Sequence, residues 1–535
     1  MAQLQFKGKS FVQNHHLVVP YHELIPRPDK SLTDKVSLQD NLILHGDNLL
    51  ALKALLPMYA GKVKCIYMDP PYNTGNEGWA YNDNVNSPMM LDWLGKVVDR
   101  DDLTRHDKWL CMMMPRLKLI RELLRDDGVI MVSIGDDEVH RLRELLDDVF
   151  GEDLFICSLI WKRRKNPDSR TKSRVSVDHE YCLVYGRTEG ASLRGQPIDL
   201  QKYKNPDNDS QGPWASDNLV GLATREQRPN LHYDLEDPQT GLVYECPPTG
   251  WRYAKKRMAK LIEDRRIMWP SSPTGRPRYR RYLSDLKDHF TGLSSILKTA
   301  FNADATVELT ELFEGKEMMD FPKPSQYIRL LVNQVTGPDS GDIVLDSFAG
   351  SGTTAHAVLA LNDEDGGNRR FLLVECEDYA DRLTAERVRR VIQGVPSAKD
   401  SRIQEGVGGT FSYFDLGRAI TLEGLLSGKH LPSYGELARY VFYTATGEEF
   451  DEGKVDEARG FIGESKTYRV YLLYVPDVEK LKNLALTLDW AKALGPHKGK
   501  RRLVFAPTKY LDQDHLDKYW IDYAQLPYEI YGLVR

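Results

Sequence analysis

Short apolar runs recur along much of the chain. Each is closed by a turn-forming residue, and many lead into a stretch with helical spacing. Asn41-Leu42-Ile43-Leu44-His45 ends at Gly46-Asp47 and leads into Leu49, Leu52, Leu55 and Leu56. Val63–Met68 is the next run. A helical pattern over about 107–125, interrupted or kinked at Pro115, precedes the apolar run Gly128–Ile134 and an amphipathic helix over 137–149. Runs at 154–161 and 180–185 have no evident crossover helix between them, which predicts an antiparallel pair at one edge. Asp342–Leu345 and Arg370–Val374 come much later. Near-continuous apolar strands alternating with helices predict a mostly parallel, doubly wound α/β sheet. Seven strands result, five before residue 190 and two after, so an insertion splits the sheet in sequence.

From about 188 to 315 the periodicity breaks up. Pro, Gly, Asn and Asp are frequent there, and tryptophans and tyrosines alternate with basic clusters. Beyond about 400 a helix is expected at 476–494, with strands at 467–474 and 501–506. The expected organisation is an N-terminal extension (1–37), two halves of one core (38–187 and 316–398) around an inserted domain (188–315), and a small α/β module (399–535).

Composition narrows the class. Hydrophobic residues make up 41% and charged residues 28% of the chain, as in ordinary soluble domains. No apolar run approaches the length of a membrane span, and the start lacks a signal-peptide core, so a cytoplasmic protein is expected. Six cysteines are scattered singly with no CxxC pair, which suggests neither a disulfide framework nor a metal site. The net charge of −6 argues against a polyanion-binding protein until its distribution is considered. Residues 155–290 carry 25 Lys+Arg against 17 Asp+Glu, or +8, which leaves −14 for the rest. A basic middle in an acidic protein is the footprint that phosphate contact requires.

Two turns carry candidate chemistry. Asp69-Pro70-Pro71-Tyr72 closes the run Val63–Met68. Each proline fixes its own φ and pushes the preceding residue into an extended conformation, so Asp69 and Pro70 cannot continue a helix. Their side-chain and backbone oxygens are expected to project together from a strand end, with the Tyr72 ring as a stacking surface. Read alone, the stretch is also compatible with a plain proline-rich turn.

The second turn, Asp346-Ser347-Phe348-Ala349-Gly350-Ser351-Gly352-Thr353-Thr354, follows the apolar Ile343–Leu345 and opens a helical stretch. Glycines allow a sharp turn and close ligand approach, and a helix N-terminus is electropositive. A Walker loop is excluded because no Lys follows the glycine, and the third glycine of GxGxxG is absent, with Ala355 at its position. Glu375 ends the next apolar run, 25 residues after Gly350, where related folds place a carboxylate for ribose hydroxyls.

Asp69–Tyr72, extended through Asn73-Thr74-Gly75-Asn76, resembles the catalytic motif of amino-methylating DNA methyltransferases. The glycine turn resembles the Phe-x-Gly-x-Gly motif of enzymes that use S-adenosylmethionine (AdoMet). The order of catalytic motif, recognition insert and cofactor loop resembles the β class of these enzymes, a circularly permuted arrangement on a Rossmann-like sheet. Gly46-Asp47-Asn48, Gly61-Lys62-Val63, His179-Glu180-Tyr181 and Gly212-Pro213-Trp214 extend the likeness to modification (Mod) subunits of type III restriction systems, and to solitary adenine methyltransferases of that lineage. The likeness covers roughly residues 38–395.

The resemblance implies that the strands before the two turns lie side by side, so that Asp69 and Phe348, 279 residues apart, face one cleft. It implies AdoMet contacts at Asp47, Asn48, Lys323 (in Phe321-Pro322-Lys323-Pro324), Asp346, Phe348, Gly350, Gly352, Thr353 and Glu375. Asp47 equally suits a helix N-cap before Leu49. The implied catalytic set is Asp69, Pro70, Pro71 and Tyr72, acting on the amine of a flipped-out base, with no metal. Asp before Pro-Pro favours adenine N6. Cytosine N4, an RNA adenine and a recognition-only subunit of a restriction complex are the alternatives.

Expected DNA contacts are Asn73, Lys162, Arg163, Arg164 and Lys165 (with Arg170, Lys172 and Arg174 nearby), then Arg252, Lys255, Lys256, Arg257, Arg278 and Arg280. Trp161, Trp214, Trp251 and Trp269 read as core residues. Double-stranded DNA, a second copy of the chain and a restriction subunit are the partners the resemblance implies, with no membrane.

Overall fold

A computed structural model describes residues 4–74, 104–169, 171, 174–272, 274–286, 289–420, 431–495 and 499–526. Gly75 and Asn76 of the extended motif, and Arg170 and Lys172 of the basic cluster, lie outside the described residues. The described chain forms two compact units, one of residues 194–294 and one of the remainder.

The larger unit is built on a mixed sheet whose strands, in chain order, are β1 (His22–Pro26), β2 (Leu42–His45), β3 (Val63–Met68), β4 (Leu124–Ile134), β5 (Phe155–Lys162), β6 (His179–Gly186), β7 (Ile296–Leu297), β8 (Ile343–Asp346), β9 (Arg370–Glu375) and β10 (Ser412–Ala419). Their spatial order is β1-β10-β2-β9-β8-β3-β4-β6-β5-β7. The six strands from β10 to β4 run parallel. β6 is antiparallel to both β4 and β5, the pair that the missing crossover helix predicted. The interior strands are apolar on both faces because helices cover both. These helices include α1 (Asn48–Tyr59), α2 (Arg105–Leu123), α3 (Val139–Phe150), α4 (Asn302–Leu312), α5 (Ser325–Asn333), α6 (Thr353–Asp365) and α7 (Glu386–Gln393).

Ten strands replace the expected seven. β7 is two residues long, below what periodicity can detect, and β1 is a half-polar strand ending in Pro26. β10 lies in the stretch assigned to the C-terminal module, yet it pairs with β2 over Ser412–Asp415 and with β1 on its other side. Residues 295–312 also belong to this unit, through β7 and α4, although the insertion was expected to reach 315. Pro115 does not interrupt α2. The helix starts at a Thr104–Asp107 capping box and is held by a buried face that includes Met112, Met113, Met114 and Leu117.

The C-terminal residues carry a four-stranded sheet of Phe461–Glu464, Tyr468–Leu472, Arg501–Ala506 and Ile521–Gln525. The expected helix at 476–494 is two short helices, Val478–Lys482 and Leu488–Ala493, separated by the strand Ala485–Leu486. Thr487 caps the second by accepting from the Trp490 backbone N–H, which restarts the helix instead of continuing it.

Residues 194–294 fold around Leu219, Leu235, Trp251, Met258, Leu261 and Ile267. Their largest sheet joins Trp214–Asp217, Arg278–Tyr282 and Ile267–Met268. The helix Lys255–Glu263 buries Met258 and Leu261 and exposes Lys255, Lys256, Arg257 and Lys260.

Candidate active site

β3 and β8 are hydrogen-bonded neighbours, with Leu345 opposite Ile66 and Asp346 opposite Tyr67. The chain leaves β3 toward β4 and leaves β8 toward β9, so the two following turns diverge above adjacent strand ends. This is the switch-point crevice where open α/β sheets bind ligands. The Asp69 turn and the glycine turn therefore start side by side.

The first turn is tightly braced. The Trp109 indole N–H donates to the Pro71 carbonyl at 2.7 Å, and Pro70 is buried. The Tyr72 hydroxyl lies 3.0 Å from Asp69 Oδ1 and 2.9 Å from Glu180 Oε2. The Lys323 ammonium donates to both Asp69 oxygens, at 2.8 and 2.7 Å, and sits 3.4 Å from Glu180 Oε2 and 5.0 Å from the Tyr72 ring centre. Arg163 completes the group at 3.2 Å from Glu180 Oε1. Burial pushes the Asp69 carboxyl above its ordinary range. Lys323 opposes that shift and Glu180 adds to it.

The second turn is organised by carboxyls. Asp346 accepts from the Phe348 N–H at 3.0 Å and from the Thr354 hydroxyl at 2.5 Å. Glu375 accepts from the Gly350 N–H at 2.6 Å and from the Glu377 N–H at 3.0 Å. Burial raises both acids to about 7. Gly350 and Gly352 have φ of 51° and 80°, in the left-handed region. A Cβ on Gly352 would also meet the Thr384 carbonyl at 3.0 Å.

Asp47 caps α1 by accepting from the Leu50 N–H at 3.1 Å, the alternative role its position allowed, and it also lies 3.5 Å from Arg116. Asn48 joins this corner to the second turn, donating to the Ser347 carbonyl at 3.2 Å.

Residues 63–386 match the N6/N4 DNA methylase family, described as DNA methylase, over more than half of the 535-residue chain. The chain belongs to the N6/N4 DNA methylase family. It is 34% identical over 387 residues to the type III restriction-modification enzyme StyLTI Mod subunit of Salmonella typhimurium strain LT2, covering 69% of this chain and 58% of that protein. It is 36% identical over 348 residues to the type II methyltransferase M.KpnI of Klebsiella pneumoniae, covering 62% and 79%. It is 30% identical over 472 residues to the type III restriction-modification enzyme EcoPI Mod subunit of Escherichia phage P1, covering 75% and 70%. The chain thus spans less than two thirds of the StyLTI Mod subunit's length.

Several expected site residues make other contacts in the structure. Lys323, expected beside the cofactor, is ion-paired with the half-buried Asp69 at 2.7 Å. Asn73, expected on DNA, is buried with φ 53° and donates its amide to the fully buried Glu138. Arg163 and Arg164 are engaged by Glu180 and Asp168, whereas Lys162 and Lys165 are exposed. In the smaller unit Arg252 pairs with Asp217 at 3.2 Å, and Arg278 is exposed with its Nε on Ser216. Arg280 is held by Asp207 and Asp209 at 2.8 and 2.6 Å, over the Trp214 ring at 4.4 Å. Trp161 and Trp251 are buried. Trp214 donates to Asp207, and Trp269 stacks on Tyr244.

Two buried residues escaped the sequence reading. Glu180 was quoted only as part of a motif, although an acid inside an apolar strand was itself a signal. Arg387 is fully buried and donates to the Ser351 and Thr353 hydroxyls at 2.9 and 2.8 Å, bracing the glycine turn from below. Nothing in its local sequence separates it from the neighbouring surface arginines. The strand end fits an AdoMet nucleoside on donor chemistry. Two carboxyls and a positive-φ glycine turn meet there, and the buried Ser347 hydroxyl has no hydrogen-bond partner among the described residues.

Proposed function

We propose that this chain methylates the N6 amine of an adenine flipped out of double-stranded DNA, with AdoMet as donor, as a modification component of a restriction–modification system. The single observation that carries the reading is the side-by-side placement of Asp69 and the glycine turn at the ends of β3 and β8. The family match and the adenine-type Asp before Pro-Pro support it.

When bound, AdoMet supplies an electrophilic methyl group. The exocyclic amine of adenine is a weak nucleophile because its lone pair is delocalised into the ring. The Asp69 carboxylate and Pro70 carbonyl accept its hydrogens, which favours a pyramidal nitrogen and stabilises the positive charge that grows as it attacks. Tyr72 holds the extruded base by stacking and offsets part of the unstacking free energy. Asp346, Phe348, Gly350, Gly352, Thr353, Asp47 and Glu375 hold the donor. Residues 194–294 form the target-recognition unit and present Lys255, Lys256 and Arg257 to phosphates. A homodimer, and pairing with a restriction subunit, belong to the same reading.

Single-molecule mapping of DNA exposed to the protein, with nucleoside mass spectrometry, tests the reaction. N6-methyladenine at one recurring sequence is expected, and Asp69→Ala abolishes it while sparing DNA binding. N4-methylcytosine, or transfer retained by D69A, overturns the assignment.

A further inference from the structure

Lys323 and the target amine need the same oxygens. A carboxylate accepts through a limited set of lone pairs, and the Lys323 ammonium takes both Asp69 oxygens, at 2.8 and 2.7 Å, while the Tyr72 hydroxyl lies 3.0 Å from Oδ1. These contacts use about three of the four lone-pair sites of the carboxylate, so an amine arriving at Asp69 meets an acceptor already largely occupied and competes with Lys323. A largely desolvated ammonium is costly to withdraw without another anion to receive it.

That anion is already in place. Glu180 is 4% exposed, and its Oε2 lies 3.4 Å from Lys323 Nζ, so a small movement exchanges one carboxylate for the other. Arg163 holds the opposite oxygen, Oε1, at 3.2 Å, which leaves Oε2 facing Lys323 and the Tyr72 hydroxyl.

We propose that Lys323 is a positioning residue that passes from Asp69 to Glu180 as the target amine takes its place, with Glu180 as the built-in receiving counter-ion. The inference rests on Asp69 being the amine acceptor. It gives Glu180 a specific duty that a merely structural acid lacks: its charge sets how strongly the site prefers a base with an amine over one without.

The test is equilibrium binding to two duplexes identical except at the mapped target position, one carrying adenine and the other purine, which lacks the amine. The ratio of dissociation constants, purine over adenine, reports amine capture, and comparing it between variants cancels the difference in base-pair strength. Glu180→Gln is expected to lower this ratio about tenfold, the scale of one hydrogen bond to a charged group. Glu180→Asp keeps it near the wild-type value, and E180Q combined with Lys323→Met restores it. An E180Q ratio equal to wild type, or an E180D ratio as low as that of E180Q, overturns the handover, and neither outcome depends on the double variant folding. Methyl transfer retained by D69A removes the acceptor reading itself. An inactive D69A with a wild-type ratio in E180Q removes only the handover.

Discussion

The Tyr72 hydroxyl stands between Asp69 and Glu180, 3.0 Å from one carboxylate and 2.9 Å from the other. A phenol has one proton, so at any instant it donates to only one of these acids, while Lys323 stays on Asp69 and Arg163 on Glu180. The site thus holds a half-buried and a buried acid that share their hydrogen-bond donors. That arrangement suits an acceptor that must exchange protein donors for those of a substrate.

Tyr72→Phe separates the hydroxyl from the ring. The ring remains for stacking, while Asp69 and Glu180 lose a donor whose hydrogen bond to a charged group contributes about 1.5–3 kcal/mol. The expected result is a fall in kcat of roughly 10- to 100-fold with DNA affinity largely kept. Tyr72→Ala is expected to lose base stacking as well, seen as weaker binding to target DNA. Equal effects of both variants on binding would show that the ring does not hold the base.

The sheet and both turns were legible because their signals are local. Val63–Met68 and Ile343–Leu345 are apolar on both faces, and Asp69–Tyr72 and Phe348–Gly352 constrain their own backbones. The network around them was not legible. Glu180 lies 108 residues from Tyr72 and Lys323 lies 254 residues from Asp69, and only the sheet order β8-β3-β4-β6 brings the strand of Glu180 to this turn. Asn73 shows the same limit. Next to Asp69–Tyr72 it reads as a substrate contact, yet its left-handed backbone turns the side chain inward to Glu138. In the basic middle, a count of charges does not distinguish Lys256, which is exposed, from Arg280, which is locked by two aspartates.

Gly352→Ala tests the geometry of the second turn. At φ 80° an alanine is strained, and its Cβ would meet a backbone carbonyl at 3.0 Å. A left-handed non-glycine residue costs about 1–2 kcal/mol, before any shift of Thr384 is counted. Loss of at least that much in urea unfolding is expected, together with weaker AdoMet binding by calorimetry. Unchanged stability and affinity would mean the turn tolerates a side chain and is not shaped by these contacts.

Asp346 and Glu375 make stability depend on pH in an unusual direction. Burial holds both near pKa 7, above the ordinary range of about 4 in the unfolded chain. Between about pH 4 and 7 the unfolded state releases these protons while the folded state retains them, so their contribution to stability falls as pH rises. Above about 7 both states are ionised and the loss levels off. The slope for each group is at most about 1.4 kcal/mol per pH unit. Asp346→Asn removes one group, so the difference in urea-derived stability, variant minus wild type, is expected to grow from pH 5 to 7 and then flatten. A difference independent of pH would place the Asp346 pKa near its unfolded value.

The exposed face of the helix Lys255–Glu263 sets the last expectation. Met258 and Leu261 anchor it, so Lys255, Lys256 and Arg257 lie on the outside for reasons of helical period, available to phosphates without rearrangement. Each phosphate neutralised by a cation contributes about 0.9 to the slope of log affinity against log salt. Replacing all three with Gln keeps the helix and its buried face. The expected outcome is a binding slope lower by about 2 to 3 on target and non-target DNA alike, with the methylated sequence unchanged. A changed recognition sequence would instead assign these residues to base edges, because only base contacts carry sequence information.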